Sequence, residues 1–270
     1  IVTDKTSFYP EGGGQIGDIG QIILGDKKIK VNNTFRDAGE IIHVTIELPN
    51  DLNSLIKLKI DRNRRTLIES NHTSTHLLHQ ALRKILGDHV EQRGSMISDK
   101  MFRFDFSHQN KISDSELSNV NNFVNEKINE SIDLIEDREE DYQIATKNGA
   151  IGLFTEKYED KVRTIKFNDS YELCGGTHVK NTSLISAFKI ISEGSQAYGI
   201  RRIVATSNEE VIIAEGLKQR AVKEKTDNEN ANKLLKKEIE SQNKIKIQLI
   251  KEVMIKNITN KSDITYLNRL

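Results

Sequence analysis

Apolar residues in the first sixty positions come in short bursts, at 1–3, 20–24, 29–31, 41–46 and 56–60, divided by Gly12, Gly13, Gly14, Gly17, Asn32, Asn33 and Pro49. Bursts of this length between turn-forming residues predict β-strands, and strands so closely spaced predict a small barrel-like subdomain. After Asp61 the spacing changes: Leu67, Leu78, Leu82 and Ile85 share one side of a helix, predicted over about 65–86 and ended by Gly87. Residues 101–106 alternate like a strand. Ser113 and Glu116 then form a capping box ahead of Leu117, Val120, Val124, Ile128 and Ile132, which predicts an amphipathic helix. A short helix over 142–147 ends near Gly149, and 161–167, 187–192 and 200–206 read as strands. This irregular mixture predicts an α+β class. From residue 209 the chain turns polar and helical, with Leu235, Ile239, Leu249 and Val253 as one narrow stripe that would pack on a partner or a neighbouring segment. Residues 264–267 read as a strand just begun, which with the absence of Met at position 1 predicts a piece of a longer protein. The expected division is 1–62 as the barrel-like subdomain, 63–208 as an α+β core and 209–270 as a helical tail.

Composition narrows the classes. Charged residues at 30% against 36% hydrophobic are the balance of a globular chain and exclude disorder as the main state. No apolar run approaches about 18 residues, and Ile1 opens neither a basic nor an apolar leader, so membrane-spanning and secretory readings fall away and a cytoplasmic location is expected. Forty Lys and Arg against forty Asp and Glu give zero net charge, so bulk basicity is no argument for a nucleic-acid partner. Such a partner must be read from local clusters, of which Arg62, Arg64, Arg65, Arg201 and Arg202 are the candidates.

The chemistry concentrates in two places. His72 and His76 are four apart, which on a helix brings two imidazoles to one face, where they can converge on one ion. Cys174 and His178 are also four apart, separated by Gly175, Gly176 and Thr177. The lone Cys174 excludes an internal disulfide and leaves a buried thiol, a reactive thiol or a metal ligand. Either half alone is weak, since helical histidine pairs are more often incidental and single cysteines more often buried small apolar groups. Jointly they predict a His₃Cys site suited to Zn²⁺. His79 shares the face of His72 and His76 and is a competing ligand, but three helical histidines would leave Cys174 without a purpose. The residues between the first two histidines, Thr73-Ser74-Thr75, contain no Glu, which argues against a zincin-type peptidase.

Four motifs carry a family resemblance: 72–78 (HTSTHLL), 86–95 (LGDHVEQRGS), 102–108 (FRFDFSH) and 172–179 (ELCGGTHV). Together with the opening 6–18 (TSFYPEGGGQIGD), they resemble the editing domain of alanyl-tRNA synthetases and the glycine-rich motif that precedes it, over residues 1 to about 208. The resemblance implies a Zn²⁺ site of His72, His76, Cys174 and His178, and hydrolysis of seryl- or glycyl-tRNA made in error on tRNA(Ala). It implies as partners the tRNA acceptor end and the remainder of an ATP-binding synthetase chain, with neither DNA nor membrane. Thr75 and Gln92, the latter in the loop after the helix, are candidates for recognising the serine hydroxyl, beside Cys174 as a catalytic candidate. Gly12, Gly13 and Gly14 with Arg62 and Arg65 are candidates for holding the tRNA end. Free-standing editors of the AlaX type, and a zinc-stapled module that binds tRNA without cleaving it, are the alternative readings.

Overall fold

The computed structural model describes residues 1–49, 55–152 and 158–256, so the strand expected at 264–267 lies outside the described residues. It divides into two compact units, Ile1–Ile213 and Ala214–Leu270.

The first unit opens with four antiparallel strands, β1 (Gly20–Leu24), β2 (Lys27–Asp37), β3 (Glu40–Thr45) and β4 (Lys57–Ile60), in the order β3-β2-β1-β4. Ile29 and Val31 alternate with polar positions of β2 and close with Ile22 and Phe8 over a small core of their own. The expected barrel is an open sheet: β3 and β4 are its two edges and do not pair with each other among the described residues. Residues 1–3 are not a strand either. Ile1 alone exchanges hydrogen bonds with His43 of β3, at 2.9 and 2.8 Å.

Helix α1 (Arg62–Leu86) begins three residues before the predicted start because the Asp61 side chain caps it by accepting the Arg64 N–H at 3.1 Å. After it come β5 (Gln92–Ile97), β6 (Phe102–Ser107) and α2 (Asp114–Asn129), whose Ser113–Glu116 capping box forms as predicted. Ile132, expected in its apolar stripe, lies beyond the helix end. Strand β5 was not legible: Gln92-Arg93-Gly94-Ser95-Met96-Ile97 has no apolar alternation, because it is an edge strand packed on one side only.

Then follow β7 (Ile135–Asp141), α3 (Tyr142–Lys147), β8 (Lys161–Phe167), β9 (Ser170–Leu173), β10 (Lys189–Ala197) and β11 (Ile200–Thr206). A central antiparallel sheet runs β10-β11-β6-β5, and a three-stranded sheet runs β7-β8-β9. Phe102, Phe104 and Phe106 are fully buried with Leu77, Leu78 and Leu82 of α1 and Val120 and Val124 of α2, which makes one continuous core. The glycine-rich segment is a strap between two sheets: Glu11 N–H donates to Thr34 O of β2 at 2.8 Å, and Ile97 N–H of β5 donates to Gly14 O at 2.7 Å.

Helix α4 (Glu209–Lys256) runs into the second unit, where Leu235, Ile239 and Leu249 of the predicted stripe are exposed. Among the described residues no helix is long and apolar enough to cross a membrane.

Candidate metal centre and its cavity

The middle of α1 is buried and polar, with Asn71, His72, Thr73, Ser74, Thr75 and His76 all beneath the surface. Buried polar groups need partners, so this stretch must face something other than an apolar core. Asn71 spends its amide on the chain itself, donating to Ser98 O at 2.8 Å and accepting the Ser207 N–H at 2.8 Å.

His72 is held by Gln15 from the strap, with Nδ1 at 2.7 Å from Oε1. The Thr177 N–H donates to the same Oε1 at 2.9 Å, which fixes which end of the amide is oxygen. An amide oxygen only accepts, so His72 Nδ1 carries the proton and Nε2 keeps its lone pair. That Nε2 lies 3.4 Å from Cys174 Sγ. His178 Nδ1 sits 3.1 Å from Thr73 Oγ1, and its Nε2 also lies 3.4 Å from Cys174 Sγ. His76 completes the group: the ring centroids of His72, His76 and His178 are 4.4 to 5.3 Å apart. One ligand atom from each of His72, His76, Cys174 and His178 lies within 4.8 Å of the others, so the four can hold a metal ion. His79 stands outside this group, with Nδ1 at 3.0 Å from Glu172 Oε1.

The second half of the site is a loop after β9, clamped by Arg163 of β8, whose Nη1 donates to Cys174 O at 2.7 Å and Gly176 O at 2.6 Å. Only one of the two glycines is required by space. A Cβ on Gly176 would overlap the His72 ring, whereas one on Gly175 would meet nothing within 4 Å.

Burial, reinforced by the neighbouring histidines, pushes His72 and His178 well below the ordinary histidine pKa; His76 is lowered chiefly by burial. All three are therefore neutral lone-pair donors near neutral pH. Burial opposes ionisation of Glu172, but the facing His76 and His79, with the His79 hydrogen bond, hold its carboxyl below the usual range. A carboxylate thus stands 3.7 Å from His76 Nε2.

The site opens on a cavity of about 390 Å³ whose walls include His72, His76, Thr75, Gln92, Gly13 and Glu172. Thr75 Oγ1 donates to Asn71 O at 2.9 Å, which leaves its oxygen lone pairs as acceptors. Gln92 lies on β5 and not in a loop, with Nε2 donating to Ser95 Oγ at 3.0 Å. Of the three glycines, Gly13 lines the cavity, Gly14 (φ 80°) approaches Ser95 too closely for any side chain, and Gly12 O accepts the Tyr9 hydroxyl at 2.8 Å.

The arginines are placed differently from one another. Arg65 is buried, its guanidinium paired with Asp18, so it ties the strap to α1 and presents no free charge outward. Arg64 faces Asp99, Arg201 pairs with Glu193, and Arg202 is bidentate on Asp105 at 2.6 and 2.8 Å. Arg62, exposed at the start of α1, has no ion-pair partner among the described residues. Gln15, Asp18, Arg163 and Glu172 carry much of the site's support, and single-residue reading had no handle on them. Their partners lie as far as 162 residues away, as for Gln15 and Thr177.

Residues 162–204 match the family model described as the threonyl and alanyl tRNA synthetase second additional domain, and residues 1–64 match that of class II (A) tRNA synthetases. The chain is 51% identical over 207 residues to an alanine–tRNA ligase of Cytophaga hutchinsonii, covering 76% of this chain and 24% of that protein. It is 44% identical to the alanine–tRNA ligase of Christiangramia forsetii and 40% identical to that of Flavobacterium psychrophilum, in each case over 100% of this chain and 33% of the relative. It thus spans a quarter to a third of the length of these relatives. With relatives 40–44% identical over the whole of the sequence, and both family models matching parts of it, the chain belongs to the alanyl-tRNA synthetase family.

Proposed function

We propose that this chain carries the editing activity of an alanine–tRNA ligase: Zn²⁺-dependent hydrolysis of seryl- and glycyl-tRNA(Ala), in the cytoplasm, beside the remainder of the synthetase. The observation that carries the reading is the convergence of four donors on the wall of a cavity. The activity is assigned to 63–208, with 1–62 and 209–270 as flanking parts.

Zinc suits the donor set. Bonds of about 2.3 Å to sulfur and 2.05 Å to nitrogen at a tetrahedral angle put S and N about 3.6 Å apart. Cys174 Sγ stands 3.4 Å from both His72 Nε2 and His178 Nε2. His76 Nδ1 is buried with no hydrogen-bond partner, an orphaned acceptor that a cation would satisfy. When bound, the ion supplies positive charge that polarises the ester carbonyl or orients the terminal ribose and amino group. With all four protein donors engaged no position stays open, which favours orienting.

The chain's own residues do the rest. Gln15 keeps the His72 ring turned to the centre, and Thr73 steadies His178. Thr75 and Gln92 offer polar atoms to a serine hydroxyl, and a wall built for a hydroxyl leaves those atoms unmatched when alanine arrives. An editing site is needed because one added methylene or hydroxyl changes binding by only about 1–3 kcal/mol. Gly13 and Arg62 are assigned to the tRNA end, whereas Arg65 is committed to Asp18.

The test is deacylation of seryl-, glycyl- and alanyl-tRNA with and without chelator. Seryl- and glycyl-tRNA should be hydrolysed, alanyl-tRNA spared and Cys174→Ala inactive. Full turnover by Cys174→Ala overturns the reading. Metal-dependent folding without any turnover points instead to a module that binds and does not cleave.

A further inference from the structure

The outer face of the N-terminal sheet gathers positive charge that no ion pair among the described residues offsets. In the ladder, Lys30 of β2 lies opposite Gln21 of β1, which lies opposite Lys59 of β4; Lys28, Ile23 and Lys57 form the next row. Side chains two apart on a strand share a face, so these four lysines point the same way, away from the buried Ile22 and Ile29. All four are exposed. Lys28, Lys30 and Lys59 line a groove with Arg62, where Asp61 is the only acidic residue among the described lining residues and accepts the Arg64 N–H that caps α1. No ion pair is made by these five cations among the described residues, whereas Arg64, Arg65, Arg201 and Arg202 each face a carboxylate. In a chain of net charge zero this is segregation and not background.

We propose that this face, Lys28, Lys30, Lys57 and Lys59 with Arg62, binds the phosphate backbone of RNA, outside the hydrolytic cavity. The proposal rests on the tRNA-ester reading above and adds where the polynucleotide lies once its 3′ end is in the cavity. Arg62 precedes His72 by ten residues on one helix, about 15 Å, so the groove is near enough for the same molecule to reach both. Binding is sequence-independent and salt-sensitive, because it releases counterions from phosphates.

The test measures binding of unacylated tRNA to the intact chain across a salt series, for the wild type, Lys30→Glu/Lys59→Glu, and a charge-matched control, Lys111→Glu/Lys147→Glu, placed off the face. The face variant should bind at least about tenfold more weakly at low salt, with the slope of log K against log salt reduced by about 1.4–1.8, two phosphates' worth. The control should match the wild type, and unchanged thermal melting excludes misfolding. Affinity and slope within twofold of wild type in the face variant overturn the proposal. So does selective loss of binding to phosphatidylserine vesicles with tRNA binding intact, which would make the face a lipid contact. Cys174→Ala separates the two readings: it keeps tRNA affinity while ending hydrolysis, so the deacylase reading fails in turnover and this one in affinity.

Discussion

Replacing Gly176 with alanine puts a methyl group where the ring of His72 lies. The added Cβ would overlap Cε1 and Nδ1 of that ring and come within 2.9 Å of Gln15 Oε1, when ordinary contact begins at 3.4 Å. His72 is 4% exposed and hydrogen-bonded to Gln15, so the ring cannot swing clear without dragging its support. Overpacking of this kind costs about 1–3 kcal/mol of stability. Moving a ligand off its support typically lowers metal affinity about 10–100-fold, or about 1.4–2.7 kcal/mol. Gly175→Ala is the matched control, because its Cβ meets nothing within 4 Å and it should stay within about 0.5 kcal/mol of wild type. Competition against a chromogenic chelator gives zinc affinity, and thermal unfolding of the stripped and loaded proteins gives stability. If Gly176→Ala binds zinc as the wild type does, or if both alanine variants lose affinity equally, the packing of this loop on His72 is not what positions the site.

Gln15→Leu removes the acceptor shared by His72 Nδ1–H and Thr177 N–H and should weaken zinc binding about 10–100-fold; affinity within twofold of wild type would show that His72 is oriented by something else. Asp18→Ala takes from the buried Arg65 guanidinium its closest carboxylate, leaving Glu69 at 3.7 Å, and should cost up to about 3–5 kcal/mol in urea unfolding; a loss under 1 kcal/mol would contradict the buried pairing. In the metal-free protein, burial keeps His72, His76 and His178 below their unfolded value of 6.5, so as pH falls through that value the unfolded chain takes up protons that the folded one refuses. Stability present at neutral pH should then drain away in acid by up to about 1.4 kcal/mol per pH unit for each histidine, and a flat profile from pH 7 to 5 would contradict neutral burial.

What could be read from the chain alone was set by how far apart the interacting residues lie. Helix α2 was legible to its cap because the Ser113–Glu116 box and the stripe of Val120, Val124 and Ile128 are all local. The ligand candidates stood out only jointly, as two four-residue spacings of which one contains the lone cysteine, and the structure draws those four side chains together. Strands β5, β7 and β9 were missed. The first is a polar edge; the second, Ile-Glu-Asp-Arg-Glu-Glu-Asp, is so acidic that only its pairing with β8 makes it a strand; the third is four residues long. The basic residues taught the converse. Arg201 and Arg202 look like one cluster in sequence, but neighbours on a strand point to opposite faces, where each meets its own carboxylate. Lys28, Lys30, Lys57 and Lys59, scattered between positions 28 and 59, are the ones that pairing in the sheet assembles.

Because the donors arrive from two remote stretches, the order in which a ribosome delivers them matters. His72 and His76 emerge first, and Cys174 follows 102 residues after His72, which at about 5–20 residues per second is roughly 5–20 s later. During that interval a two-imidazole half-site can compete only feebly for a scarce cation. Tight binding of a metal by these four donors would therefore wait until β8 and β9 have been made and Arg163 has pinned the loop. On the proposed zinc reading, acquisition of the ion would in this sense be a completion signal for the fold, and a chain stalled before residue 174 would stay empty.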